Sequence, residues 1–120
     1  MDRFTDALIA TTLSTYLLVV LGAMTAATDG VGLLTIGHAL VAGAVGIFLI
    51  AMTSLAWRDK HRRRIRIGIS LAAIAYPLQA LFGLVGFFGV PASDERAHLL
   101  GGIAVFACLL LSLVWHLDRE

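Results

Sequence analysis

Residues 94–115 read DERAHLLGGIAVFACLLLSLVW. Three charged residues lead straight into an apolar run, and uncharged apolar runs of about 18 residues or more are typical of membrane-spanning helices. Four such runs occur in the chain, at residues 7–27, 31–57, 67–90 and 97–117. The composition agrees, because 59% of the 120 residues are hydrophobic and only 14% are charged.

We therefore predict an all-α membrane protein whose residues 1–120 form a single transmembrane domain. Its four helices, at about 7–27, 31–57, 67–90 and 94–117, would form an up-down bundle. We expect a multi-pass protein in the cell membrane of a prokaryote.

The basic residues predict the orientation. Six of the nine lie in RDKHRRRIR, residues 58–66, and cytoplasmic loops carry the excess of Lys and Arg. The loop between helices 2 and 3 and both termini would then face the cytoplasm. The same run could bind nucleic acid or anionic lipid, but we interpret it as a topology signal. Membrane lipid is an expected partner and nucleic acid is not.

The two halves of the chain share an order of features. Gly22 precedes His38 by 16 residues, Gly83 precedes His98 by 15, and the two histidines are 60 apart. Each glycine lies near the end of an apolar helix, and each histidine lies at the head of the next one. This pattern predicts two two-helix repeats related by an axis along the membrane normal.

His38 and His98 are ionisable groups inside predicted spans, and such residues are functional candidates by default. At about 1.5 Å per residue, both lie within about 10 Å of the same membrane face. Helices 2 and 4 lie diagonally across an up-down bundle, so the two imidazoles could face each other with a haem iron between them as a shared metal. The alternatives are a polar packing pair and a proton or ion path. His61 and His116 are interpreted as a solvated and an interfacial residue.

Residues near the histidines extend the candidate site. Glycines beside His98 could leave room for a macrocycle, or could serve ordinary helix packing. Arg96 could pair with haem propionates or reach lipid headgroups. Gln79 could bond a cofactor or a backbone carbonyl freed by Pro77. The candidate cofactor-binding residues are His38, His98, Arg96, Gln79, Gly101 and Gly102.

Three stretches resemble the haem A synthase family of cytochrome oxidase assembly proteins: YLLVVLGAMTAATDG, GHALVAG and LQALFGLVGFFGVPASDERAHLL. Members have two similar four-helix halves, and the chain resembles one half. The resemblance implies that His38 and His98 hold haem b, with haem o or haem A as substrate or product. It also implies a homodimer, or a respiratory or assembly partner.

The resemblance implies an oxidoreductase active in haem A biosynthesis and cytochrome oxidase assembly. The position of the family's catalytic glutamate is Thr35, however, so catalytic residues stay unknown and a b-haem electron carrier is the other expectation. The rival functions are an accessory membrane subunit of a respiratory complex and a small proton or solute path that uses the histidine pair.

Overall fold

A computed structural model of the chain describes residues 2–27, 32–87 and 93–118. It contains four α-helices: α1 (Arg3–Ala27), α2 (Gly32–Arg58), α3 (Arg63–Phe87) and α4 (Ser93–Leu117). Each is long and apolar enough to cross a membrane. The bundle measures 44 Å along its longest axis, more than the about 30 Å of a hydrocarbon core. The predicted all-α, four-span membrane fold is confirmed, whereas its cytoplasmic orientation stays a prediction.

Two helices begin earlier than the apolar runs predicted. α1 begins at Arg3 rather than at residue 7, and α3 begins at Arg63 rather than at 67. In α1 the cause is a cap, because Asp2 Oδ1 accepts hydrogen bonds from the backbone N–H and the hydroxyl of Thr5, both at 2.7 Å. The first turns of α1 and α3 contain charged residues, so they are helical but lie outside the apolar runs from which the helix starts were predicted. The predicted end of the third helix, at residue 90, lies outside the described residues.

Sequence neighbours pack side by side, and α1 also packs against α4. Within the described residues, α2 and α4 face each other across one diagonal with no close backbone approach, as do α1 and α3. α3 and α4 pack most closely, because Gly68 and Gly101 have no side chain. A Cβ at Gly68 would collide with Ser112 Oγ, and one at Gly101 with Gln79 Cβ.

Hydroxyl groups inside the spans bond within their own helix. Thr11, Thr12 and Thr15 of α1 each donate to the carbonyl four residues earlier, at 2.7–2.8 Å. This satisfies the hydroxyls without water, as a lipid environment requires. The apolar core lies in the middle of the bundle and consists mainly of Leu8, Val45, Leu49, Met52, Ile65, Ile69, Val105 and Leu109. Many other large apolar side chains face outward, where lipid would surround them.

Candidate functional site

His38 and His98 meet across the α2–α4 diagonal, at what we call the histidine end of the bundle. Their ring centroids are 6.1 Å apart and their planes make an angle of 84°. Both side chains are partly buried. The structure therefore brings together the two residues that the sequence places at similar depth on facing helices.

Each histidine ring lies against the glycine that the repeat pairs with it. A Cβ at Gly83 would lie 2.6 Å from His98 Cε1 and 2.7 Å from its Nδ1. A Cβ at Gly22 would lie 3.0 Å from His38 Cε1. Both rings therefore occupy space that any other residue at these positions would fill, which gives the repeated Gly–His spacing a structural reason.

The missing side chain also exposes a backbone carbonyl. In an α-helix the carbonyl of residue i points toward residue i+4, so a glycine at i+4 leaves that carbonyl accessible from the side. His98 Nδ1 lies 2.6 Å from the carbonyl oxygen of Gln79, four residues before Gly83. A carbonyl only accepts, so Nδ1 is the donor and Nε2 carries the free lone pair. Metal-binding histidines are oriented by the same kind of bond.

The first repeat is the same in position but not in bonding. Leu18 stands four residues before Gly22, as Gln79 does before Gly83, and its backbone lies near the His38 ring. His38 Nδ1 is nevertheless buried without a hydrogen bond of good geometry to the described residues. The two imidazoles are thus unequal, since His98 is fixed by a bond and His38 is fixed mainly by packing.

The spacing of the rings would allow the two imidazoles to hold one metal between them. With a metal–nitrogen distance of about 2 Å, imidazoles on opposite sides of a metal have ring centroids about 6 Å apart. No cluster of three or more His, Cys, Asp or Glu that could hold a metal ion occurs in the part of the chain that the structure describes. The pair offers two ligands, and a porphyrin iron is a metal that brings its remaining four ligands with it.

The other candidate residues have different surroundings. Gln79 is 6% exposed and contributes its backbone carbonyl to the site. Its side-chain amide makes no hydrogen bond to the described residues, so it does not bond the carbonyl that Pro77 frees. A Cβ at Gly102 would lie 3.9 Å from Gln79 Oε1, while Gly101 permits the close contact of α3 and α4. Arg96 is exposed at the same end of the bundle.

A second histidine pair lies at the opposite end, which we call the arginine end. The ring centroids of His61 and His116 are 5.7 Å apart, and the ring of Phe4 stacks on His61 at 3.7 Å. His116 Nε2 is 2.8 Å from Thr5 Oγ1. Burial, with His116 nearby, holds the pKa of His61 below its usual value. His61, which the sequence predicted to be solvated, is therefore partly covered by Phe4, a residue that lies far away in sequence and gave no local signal.

The comparisons with known proteins found relatives among enzymes named for protoheme IX. The chain is 50% identical over 120 residues to protoheme IX farnesyltransferase 2 of Natronomonas pharaonis. It is 33% and 30% identical to the protoheme IX farnesyltransferases of Haloarcula marismortui and Haloquadratum walsbyi, with 98% of the chain aligned in each case. It spans 27%, 29% and 29% of these three relatives, less than a third of their length. No protein-family model and no solved structure matches the chain.

The chain is similar to one part of protoheme IX farnesyltransferases. The resemblance to haem A synthase is therefore wrong, and so are the functions taken from it, haem A synthesis and b-haem electron transfer. The relatives' names indicate a transferase rather than an oxidoreductase. They give no support to an accessory respiratory subunit or a proton path. Glycine is frequent in membrane spans of many kinds, so short His and Gly motifs in apolar helices do not distinguish one family from another.

The expected location is confirmed. The relatives come from prokaryotes, and the chain has four helices able to span a membrane. The protein is thus a multi-pass protein of a prokaryotic cell membrane.

Proposed function

We propose that this chain holds protohaem IX in the membrane for a protohaem farnesyltransferase, with His38 and His98 as the two ligands of the iron. The observation that carries the proposal is the 6.1 Å separation of two imidazoles on facing helices. The relatives' name suggests the substrate, because those enzymes are named for protoheme IX. Protohaem is thus a bound substrate here rather than a permanent cofactor.

The inequality of the two histidines suits a substrate that must leave again. His98 has its Nε2 lone pair set by the bond from Nδ1 to the Gln79 carbonyl, whereas His38 Nδ1 makes no hydrogen bond of good geometry to the described residues. A ligand oriented by an outer hydrogen bond binds a metal about 10–100 times more tightly than one that has lost it. In this proposal His98 anchors the iron and His38 releases it first.

The chemical transfer belongs, in the same proposal, to the part of the relatives that this chain does not cover. The chain covers less than a third of the length of each of these relatives. Its own contribution is to orient the porphyrin and to shield it from water among apolar helices. Its functional partner is then the remaining transferase region, whether in the same polypeptide or in another one.

A haem titration tests the proposal. The detergent-purified chain is titrated with protohaem IX, and binding is followed by the visible absorption spectrum. His38→Ala and His98→Ala are expected to weaken binding by at least tenfold, with the larger loss for His98→Ala. The matched controls are His61→Ala and His116→Ala, whose rings form a pair of nearly the same separation, 5.7 Å.

Two outcomes would oppose the proposal. Equal losses in all four variants would show non-specific histidine ligation. Unchanged binding in both His38→Ala and His98→Ala would show that haem, if bound, lies elsewhere. For the partner, protohaem-loaded chain added to a membrane preparation of a protohaem farnesyltransferase should raise the rate of haem prenylation, and His98→Ala should not.

A further inference from the structure

The arginine end carries a concentration of positive charge that the protein itself does not neutralise. Of the basic residues between 58 and 66, only Arg58 makes an ion pair with a described residue, through Nε to Asp59 Oδ1 at 3.2 Å. That pair is exposed. The charges without an acidic partner in the described part of the chain are Lys60, Arg62, Arg63, Arg64 and Arg66.

The turn that carries these charges has a defined conformation. The His61 N–H donates to the Ala56 carbonyl at 3.1 Å, and the Lys60 N–H donates to the Trp57 carbonyl at 3.3 Å. Lys60 has a φ of 52°. This is the Schellman arrangement that ends many helices, with Lys60 where glycine is usual. The stack of His61 on Phe4 also holds this turn against the start of α1.

The first turn of α3 adds to the positive potential. Arg63, Arg64 and Arg66 stand where the helix dipole is also positive, so the charges oppose the dipole and repel each other. Arg66 lies over the Trp57 ring at 4.7 Å, and its Nε is buried without a hydrogen bond to the described residues. An anion at this helix start would reduce all of these unfavourable interactions.

A cavity of about 60 Å³ opens at the arginine end, between the start of α3 and the end of α4. Its lining is Arg62, Arg64, Ile65, Trp115 and Asp118. A buried water needs about 10–15 Å³ on this measure, so the cavity has room for a group as large as a phosphate. The Asp118 carboxylate is the one opposing charge in the lining, and it is not within ion-pair distance of either arginine.

We infer that this cavity binds the phosphate group of a membrane amphiphile. One guanidinium group can bind two phosphate oxygens at once. Arg62 and Arg64 place two guanidinium groups in the lining, beside the indole of Trp115. Trp57 and Trp115 lie near the ends of α2 and α4 at the arginine end, and tryptophan is enriched where spans meet the headgroup region. The phosphate has two possible sources, an anionic phospholipid and a prenyl diphosphate. Positive charge bias alone orients a protein, but it does not require a cavity.

The test uses the two tryptophans, which are the only ones in the sequence. The full chain in a neutral detergent is titrated with phosphatidylglycerol, and with phosphatidylcholine as the uncharged control, while tryptophan fluorescence is recorded. Arg62→Gln/Arg64→Gln is compared with Arg58→Gln/Lys60→Gln, which also removes two positive charges from residues 58–66 but leaves the lining of the cavity intact. The first double variant is expected to lose at least tenfold in affinity, and the second at most about threefold.

Equal losses in the two double variants would overturn the inference, because a diffuse charged surface predicts them. So would equal binding of phosphatidylglycerol and phosphatidylcholine together with no response to a prenyl diphosphate. Separate titrations with a prenyl diphosphate and with inorganic pyrophosphate identify the source of the phosphate.

A third variant keeps the test independent of folding defects. Asp118→Asn removes the opposing carboxylate and should tighten binding. Weaker binding in Asp118→Asn would show that the carboxylate organises the arginines internally, and the inference would fail.

Discussion

Replacing Gly83 by alanine tests whether the missing side chain at this position is what lets His98 bond the Gln79 carbonyl. The added Cβ would lie 2.6 Å from His98 Cε1 and 2.7 Å from Nδ1, so the ring must move away from the Gln79 carbonyl. Overpacking costs about 1–3 kcal/mol, and the lost hydrogen bond about 0.5–1.5 kcal/mol. The better helix propensity of alanine returns about 1 kcal/mol. The sum predicts a net destabilisation of about 0.5–3.5 kcal/mol.

Two further substitutions serve as controls. Gly22→Ala brings a Cβ to 3.0 Å from His38 Cε1, so a small shift of the ring suffices and stability should change little. Gly43→Ala meets nothing within 4 Å and should stabilise the helix by up to about 1 kcal/mol. The measurement is thermal unfolding in detergent followed by circular dichroism.

Haem affinity gives the second readout of the same series. Gly83→Ala should weaken protohaem binding by about 10–100-fold, because His98 loses its orienting bond. Gly43→Ala should leave it unchanged. If Gly83→Ala were as stable as Gly43→Ala and bound protohaem normally, the glycine–carbonyl arrangement would have no part in fixing His98, and the reasoning would be refuted.

Three further predictions concern the rest of the bundle. Lys60→Gly should stabilise the protein by about 0.5–1 kcal/mol in thermal unfolding, because glycine tolerates a φ of 52°; a destabilised variant would contradict the assigned turn. The lowered pKa of His61 means that the unfolded chain binds its proton more readily, so the melting temperature should fall as the pH drops below 6.5 and be level above it. His61→Phe should reduce that fall, and an identical fall would be evidence against the assignment. Tyr76→Phe removes the hydrogen bond from the Tyr76 hydroxyl to the Ala42 carbonyl and should cost about 1 kcal/mol, whereas an unchanged unfolding temperature would contradict it.

Much of the fold could be predicted because a membrane imposes simple rules. Span length follows from bilayer thickness, and the depth of His38 and His98 follows from the helical rise. Because helices 2 and 4 lie on a diagonal of the bundle, the span lengths and the shared depth of the two histidines were enough to predict that His38 and His98 face each other. The helix starts were less predictable, because Asp2 caps α1 from outside the apolar run.

The details that hold the site could not be predicted in the same way. The sequence shows that Gly22 and Gly83 belong to a repeat. It does not show that a glycine leaves the carbonyl four residues earlier accessible to the histidine. Gln79 was expected to act through its side chain, whereas its backbone oxygen bonds His98. Whether the side chain or the backbone of Gln79 reaches His98 depends on how far α3 is rotated against α4. The cluster of Phe4, His61 and His116 likewise joins parts of the chain that are far apart in sequence.

The electron paramagnetic resonance spectrum of the ferric protohaem complex tests the central claim most directly. Two imidazole ligands make the iron low-spin and six-coordinate, so the wild-type chain should show a low-spin signal. His38→Ala and His98→Ala should each convert it to a high-spin signal, while His116→Ala should leave it low-spin. A wild-type complex that is high-spin, or one that stays low-spin in both His38→Ala and His98→Ala, would contradict the assignment of these residues as the two ligands.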